Sequence, residues 1–195
     1  MRFKLALAGV LLSTALAGFS QTAPSAVQGG IPLSVGFGYS NFYTDWSGYE
    51  GGLTLWIDWN RLPVPRQLQG LGIEVEARDL SFERTGDDPK LKEYTFGGGP
   101  IYHWRKFKRT DLYGKFLISH GHIEWTTATP GDTYTHDTRA DIAPGGGASY
   151  RLWQGISVRG DYEYQFWTNF LHHHAMNPKG FTVGVNYDLG RRSGR

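Results

Sequence analysis

The sequence predicts an all-β fold: a closed, antiparallel, up-and-down transmembrane β-barrel of about eight strands. Three observations predict it. The chain opens with an export signal. The remainder divides into segments that alternate apolar and polar residues over about 9 to 11 positions, the length a tilted strand needs to cross hydrocarbon. Tryptophans then fall at the ends of those segments, where an indole buries apolar area while its N–H reaches water or head groups.

Arg2 and Lys4 stand ahead of an apolar stretch from Leu5 to about Phe19, with Ala15-Leu16-Ala17 as a small-residue cleavage pattern. That order is a secretory signal peptide. Residues 1–17 are expected to be removed, with Ala26 as an alternative later site, and residues 18–31 to form an unstructured leader. The following Gln21, Thr22, Pro24 and Ser25 lack the basic flank of a membrane anchor. On the order of 170 residues then remain, enough for one domain. The barrel is assigned to 32–189 and a short tail to 190–195.

In the first segment Leu33, Val35, Phe37 and Tyr39 alternate with Ser34, Gly36, Gly38 and Ser40. A strand with two unlike environments requires this period of two. The second sets Leu53, Leu55, Ile57 and Trp59 against Thr54, Trp56 and Asp58. The third sets Leu71, Ile73, Val75 and Ala77 against Gly72, Glu74, Glu76 and Arg78; Leu80 and Phe82 then change parity, which predicts a β-bulge near Asp79. The fourth has Tyr94, Phe96 and Tyr102 on one face, and Pro100 calls for a second bulge because it cannot donate to a ladder.

The fifth, Leu112 to Trp125, sets Leu112, Phe116 and Ile118 against Tyr113, Lys115 and Ser119. In the sixth, Ala140, Ile142, Ala148, Tyr150 and Leu152 oppose Asp141, Ser149 and Arg151. In the seventh, Ile156, Val158, Tyr162, Tyr164 and Phe166 oppose Ser157, Arg159, Asp161, Glu163 and Gln165. The last sets Phe181, Val183, Val185, Tyr187 and Leu189 against Thr182, Asn186 and Asp188.

The connections are Thr44 to Glu50, Asn60 to Gly70, Glu83 to Leu91, Arg105 to Thr110, Thr126 to Arg139, Trp153 to Gly155 and Thr168 to Lys179. Beyond the first pair, long polar loops alternate with short turns. Outer-membrane barrels show that asymmetry, with long extracellular loops and short periplasmic turns, so both chain ends are expected in the periplasm. Trp59, Trp104 and Trp153 then fall at the periplasmic rim, and Trp46, Trp125 and Trp167 at the opposite one, as an aromatic girdle. Trp56 alone lies within a strand, on the inner parity. Tyr39, Tyr102, Tyr150, Tyr164 and Tyr187 add to the outer surface.

These features, with the final Gly180-Phe181-Thr182-Val183-Gly184-Val185-Asn186-Tyr187-Asp188-Leu189, resemble the small outer-membrane β-barrel family related to the outer membrane protein A transmembrane domain. The resemblance covers Pro32 to Leu189. It implies residence in the bacterial outer membrane, insertion by the barrel-assembly machinery and a plugged or narrowly conducting lumen. The chain departs from the family's C-terminal assembly signal, since it lacks a terminal aromatic and continues through Gly190-Arg191-Arg192-Ser193-Gly194-Arg195.

An eight-stranded barrel is about narrow enough to be filled by its own side chains. The inner parity carries Asp58, Glu74, Glu76, Arg78, Glu93, Lys115, Asp141, Arg151, Arg159, Asp161 and Glu163, a mixed set in which pairing can offset the cost of burial. This charge network is the candidate site.

Other chemistry is weaker. The chain has no cysteine, which removes disulfides, thiolate metal sites and cysteine nucleophiles. The basic runs Arg105-Lys106-Lys108-Arg109 and Arg191-Arg192-Arg195 are too short to argue for nucleic acid, and the net charge is only +2. His172-His173-His174, with His122 or His136 at the same rim, offers imidazoles to a metal, but consecutive residues project in different directions and a solvated loop is preferred. Phe170 to Pro178 resembles a lipid A deacylase histidine region without the adjacent serine, and Ser119-His120 point to opposite faces of one strand, so no enzyme activity is expected. Gly97-Gly98-Gly99 and Gly145-Gly146-Gly147 lack the lysine of a phosphate loop and are read as relief of crowding. Asp87-Asp88-Pro89 and Pro130-Gly131-Asp132 are turn signals.

The reading is thus an integral outer-membrane barrel with a structural or surface-interaction role, no cofactor, and outer-membrane lipid and lipopolysaccharide as its partners. The alternatives are a small-solute channel and a soluble periplasmic lipocalin-like binder, whose barrel would keep apolar residues inside.

Overall fold

The computed structural model describes residues 32–45, 48–60, 62, 64–82, 91–104, 107–125, 136–170 and 174–189. The signal segment, the leader, Trp46, both acidic turn signals, His172, His173 and the tail 190–195 lie outside the described residues. Within them run ten strands: β1 (Leu33–Thr44), β2 (Gly48–Trp59), β3 (Leu71–Phe82), β4 (Leu91–Trp104), β5 (Thr110–Trp125), β6 (His136–Trp153), β7 (Ile156–Tyr164), β8 (Phe166–Phe170), β9 (His174–Met176) and β10 (Lys179–Asp188).

Every ladder is antiparallel, and β1 pairs with β10 as well as with β2, so the sheet closes on itself. Closure leaves no unpaired strand edge, the condition for a sheet to live in lipid. Ten strands make eight staves. Gly145 faces Glu163 and Asp141 faces Trp167, an equal step along both strands, so β8 continues β7 against β6. Tyr164 faces Lys179 and Trp167 faces Met176, so β9 continues into β10 in the same way.

The alternation sets the faces. The outer face carries Phe37, 62% exposed, and Ile118, 63% exposed, in a band with Leu55, Val75, Phe96, Val183 and their neighbours. The inner face is buried and largely polar. This is the inverse of a water-soluble domain and the arrangement expected where the surroundings are lipid. It is also the inverse of a lipocalin-like calyx.

Three local expectations change. The bulge is present, since Gly51 pairs with Phe82 and Leu53 with Asp79, leaving one extra residue on β3. Leu80 nevertheless points inward, fully buried. No second bulge forms at Pro100: the β4–β5 ladder skips Gly99 and Pro100 and resumes from Gly98↔Ile118 to Ile101↔Lys115 in unchanged register. The connection from Thr168 to Lys179 is largely strand, because β8 and β9 prolong the hairpin above the barrel. The long Asn60–Gly70 connection contains, among its described residues, a 3-10 turn at Arg66–Leu68 and is tied at both ends, by Asn60 N–H to Pro32 O (2.7 Å) and His103 N–H to Gly70 O (2.9 Å).

Candidate functional site

The inner face of a closed barrel converges on its axis, so residues distant in sequence meet there. Ten of the eleven predicted network residues have buried side chains: Asp58, Glu74, Glu76, Arg78, Glu93, Lys115, Asp141, Arg159, Asp161 and Glu163. At the centre, the Lys115 ammonium stands 2.6 Å from Glu76 Oε2, 3.0 Å from Glu163 Oε2, 3.2 Å from Glu74 Oε1 and 3.4 Å from Asp161 Oδ1. One cation thus faces four carboxylates from β3 and β7.

Two arginines share these carboxylates with it. Arg78 pairs with Glu76 and donates to Glu163 Oε1 at 2.8 Å, with Nε directed to Thr54 Oγ1 at 3.3 Å. Thr54 in turn meets Ser40 at 2.5 Å, and Ser40 meets Thr182 at 2.7 Å, so small hydroxyls extend the network around three further strands. Arg159 lies 2.7 Å from Glu74 Oε2 and 3.3 Å from Asp58 Oδ2, and its Nε donates to the Tyr113 hydroxyl at 2.7 Å, which donates onward to Asp161 at 2.7 Å. Both guanidiniums also lie over rings, Arg78 over Phe42 at 4.0 Å and Arg159 over Tyr113 at 4.5 Å.

Toward the end away from Pro32 and Leu189 bulky apolar side chains cap the interior, beside the buried carboxylates of Glu50, Glu93 and Asp141. Phe42, Leu80, Ile123, Met176 and Trp167 are all buried there. A polar thread links this cap to the network: Trp167 Nε1–H donates to Gln165 Oε1 at 2.8 Å, and Gln165 Nε2–H to Glu163 Oε1 at 3.1 Å. The ring of Trp167 lies against Gly121, where a Cβ would occupy the same space.

Two predicted site residues are elsewhere. Arg151 keeps the inner parity but is exposed, because it sits at the barrel mouth beside the Gln154-Gly155 turn, its N–H bonded to Arg109 O at 2.9 Å. Trp167, assigned to the outer girdle from its place at a strand end, is only 1% exposed and faces the lumen. The alternation of β7 runs through Gln165 into β8, so Trp167 shares the face of Arg159, Asp161 and Glu163. Trp59, Trp104 and Trp153 do face outward at the end holding Pro32 and Leu189, with Trp153 70% exposed. Trp46 and the Trp125 side chain lie outside the described residues.

The interior also contains polar residues that a search for charge passes over. His103 Nδ1 lies 3.0 Å from Asp111 Oδ2, Asn60 Nδ2–H donates to Ser34 Oγ at 2.9 Å, and Trp56 Nε1–H to Asn186 Oδ1 at 3.0 Å. Inner parity was the signal available for them. Ser119 is buried inward while His120 is exposed on the other face. On the outer face of the β5–β6 hairpin, the His122 and His136 rings are 6.0 Å apart, with His122 engaged by Thr138 at 2.6 Å. Among the described residues no three His, Cys, Asp or Glu side chains are grouped to hold a metal ion.

Several solved structures with this fold are outer-membrane barrels. Neisserial surface protein A matches with a TM-score of 0.61 at 15% identity, over 83% of this chain and 99% of its own. Ail, the attachment invasion locus protein of Yersinia pestis, matches with a TM-score of 0.55 at 18% identity, over 80% and 96%. A major outer membrane protein from Thermus thermophilus matches with a TM-score of 0.54 at 10% identity, over 80% and 98%. At these identities the likeness is one of fold. Comparison with curated proteins gave no significant sequence match. The family model for the outer membrane protein beta-barrel domain matches residues 11–188, and the chain belongs to that family.

Proposed function

We propose that this protein is an integral barrel of the bacterial outer membrane with a structural or surface-interaction role, which holds its loops at the cell surface and keeps its lumen closed to solute flow. Both chain ends lie in the periplasm, after export by the signal peptide and insertion by the barrel-assembly machinery through the Gly180–Leu189 strand. Lipid and lipopolysaccharide surround it. It carries out no catalysis and takes no cofactor.

One observation carries the closed lumen: the Lys115 cluster, with Arg78 and Arg159, joins inner-face residues of β2, β3, β5 and β7 across the axis, beneath the bulky side chains of Phe42, Leu80, Ile123, Met176 and Trp167. Opening a path would separate several buried ion pairs at once, each held between side chains on different strands.

The test is conductance. Purified protein in planar bilayers is expected to give no steady large channel. Steady, large conductance, of the kind a water-filled bore permits, would favour the small-solute channel instead. Fractionation with boiled and unboiled gel samples tests the location, since recovery in the soluble periplasmic fraction would overturn it.

A further inference from the structure

The outer face carries one lysine in an unusual setting. Lys179, on β10, is paired directly with Tyr43 on β1 and with Tyr164 on β7, and Tyr43 is paired with Tyr49 on β2. Four neighbouring strands therefore present a level row, Tyr164, Lys179, Tyr43, Tyr49. The Lys179 ammonium lies 5.6 Å from the Tyr43 ring centre and 5.8 Å from that of Tyr164, and Tyr43 meets Tyr49 edge-on at 5.4 Å.

Immediately below, Tyr162, Phe181 and Asn41 form the next row. Between the two rows lies an open depression of about 340 Å³. Below it the same face continues through Tyr39, Val183, Phe37 and Val185, without a charged side chain among them. The row thus marks the depth at which hydrocarbon gives way to head groups. The carboxylate of Asp45, one step above, accepts the Asn177 N–H at 2.8 Å, and Lys179 has no ion pair among the described residues.

An ammonium bordering hydrocarbon is costly unless an anion or water reaches it. The anion present at that depth around the whole barrel is lipid phosphate. The ammonium, the tyrosine hydroxyls and the Asn41 amide supply donors, while Phe181 and Tyr162 supply an apolar wall for a sugar face or acyl chain.

We propose that the Lys179 depression is a binding site for the phosphorylated headgroup of an outer-leaflet glycolipid, the lipid A portion of lipopolysaccharide. This rests on the orientation proposed above, which places Lys179 at the extracellular leaflet.

The experiment is native mass spectrometry of the wild type, Lys179→Gln and Lys179→Arg, each offered bis-phosphorylated lipid A, dephosphorylated lipid A or phosphatidylglycerol. Wild type and Lys179→Arg should retain phosphorylated lipid A in preference to the other two, and Lys179→Gln should retain roughly fivefold less, from the loss of one basic residue at a headgroup surface. Heat-modifiable migration of Lys179→Gln verifies that it is folded. Equal retention by folded Lys179→Gln, or displacement of lipid A by millimolar inorganic phosphate, overturns the site while leaving the closed-barrel reading intact. A preference for phosphatidylglycerol overturns the site together with the orientation, and large conductance in bilayers counts against the closed barrel alone.

Discussion

The indole N–H of Trp56 donates to Asn186 Oδ1 at 3.0 Å, passing over β1 to join β2 to β10. Gly36 is the β1 residue paired with both. The indole lies across it, in the space that any Cβ at that position would occupy.

Gly36→Ala should therefore destabilise the barrel by about 1–3 kcal/mol, the usual cost of overpacking. Trp56→Leu in the same background should recover part of that loss. Urea unfolding in lipid vesicles measures both. Additive effects of the two substitutions would disprove the contact, since residues that touch show coupling.

Lys115→Met keeps the side-chain length and removes the charge that Glu74, Glu76, Asp161 and Glu163 share. It should cost about 3–5 kcal/mol, because carboxylates are left buried without compensation. An unchanged urea midpoint would show that these groups do not depend on the lysine.

Single-tryptophan variants in vesicles of brominated lipid separate the two faces. Emission from Trp59, Trp104 and Trp153 should be quenched, while Trp56 and Trp167 should be protected inside the barrel. Strong quenching of Trp167 would return it to the outer girdle.

Depth along the outer face can be read with arginine. Phe37→Arg, in the middle of the apolar band, should cost about 2–4 kcal/mol, and Tyr43→Arg, in the headgroup row, about 0–1 kcal/mol. Equal costs at the two positions would mean that the band does not coincide with the hydrocarbon.

The faces of the strands were legible because a period of two leaves each side chain only two directions, and the cost of exposing charge to lipid selects between them. Asp58, Glu74 and Lys115 could be assigned inward from their immediate neighbours alone. Trp167 shows the limit of position without parity. Its place near a strand end suggested an interface, whereas its parity, continuous from Arg159 through Gln165, directs it to the lumen. Arg151 shows the converse. Its parity is inward, but inward at the mouth of a barrel is solvent.

Local alternation and strand length were enough to establish a closed barrel with an apolar exterior and a charged interior, and both can be read along the chain. The partners of those charges came only with the folded barrel. Arg78 reaches Glu163 from β3 to β7, and Lys179 stands level with Tyr43 and Tyr164, because closing the sheet fixes which residues share a height. Height depends on the summed register of all the ladders around the barrel, a quantity that no single segment contains.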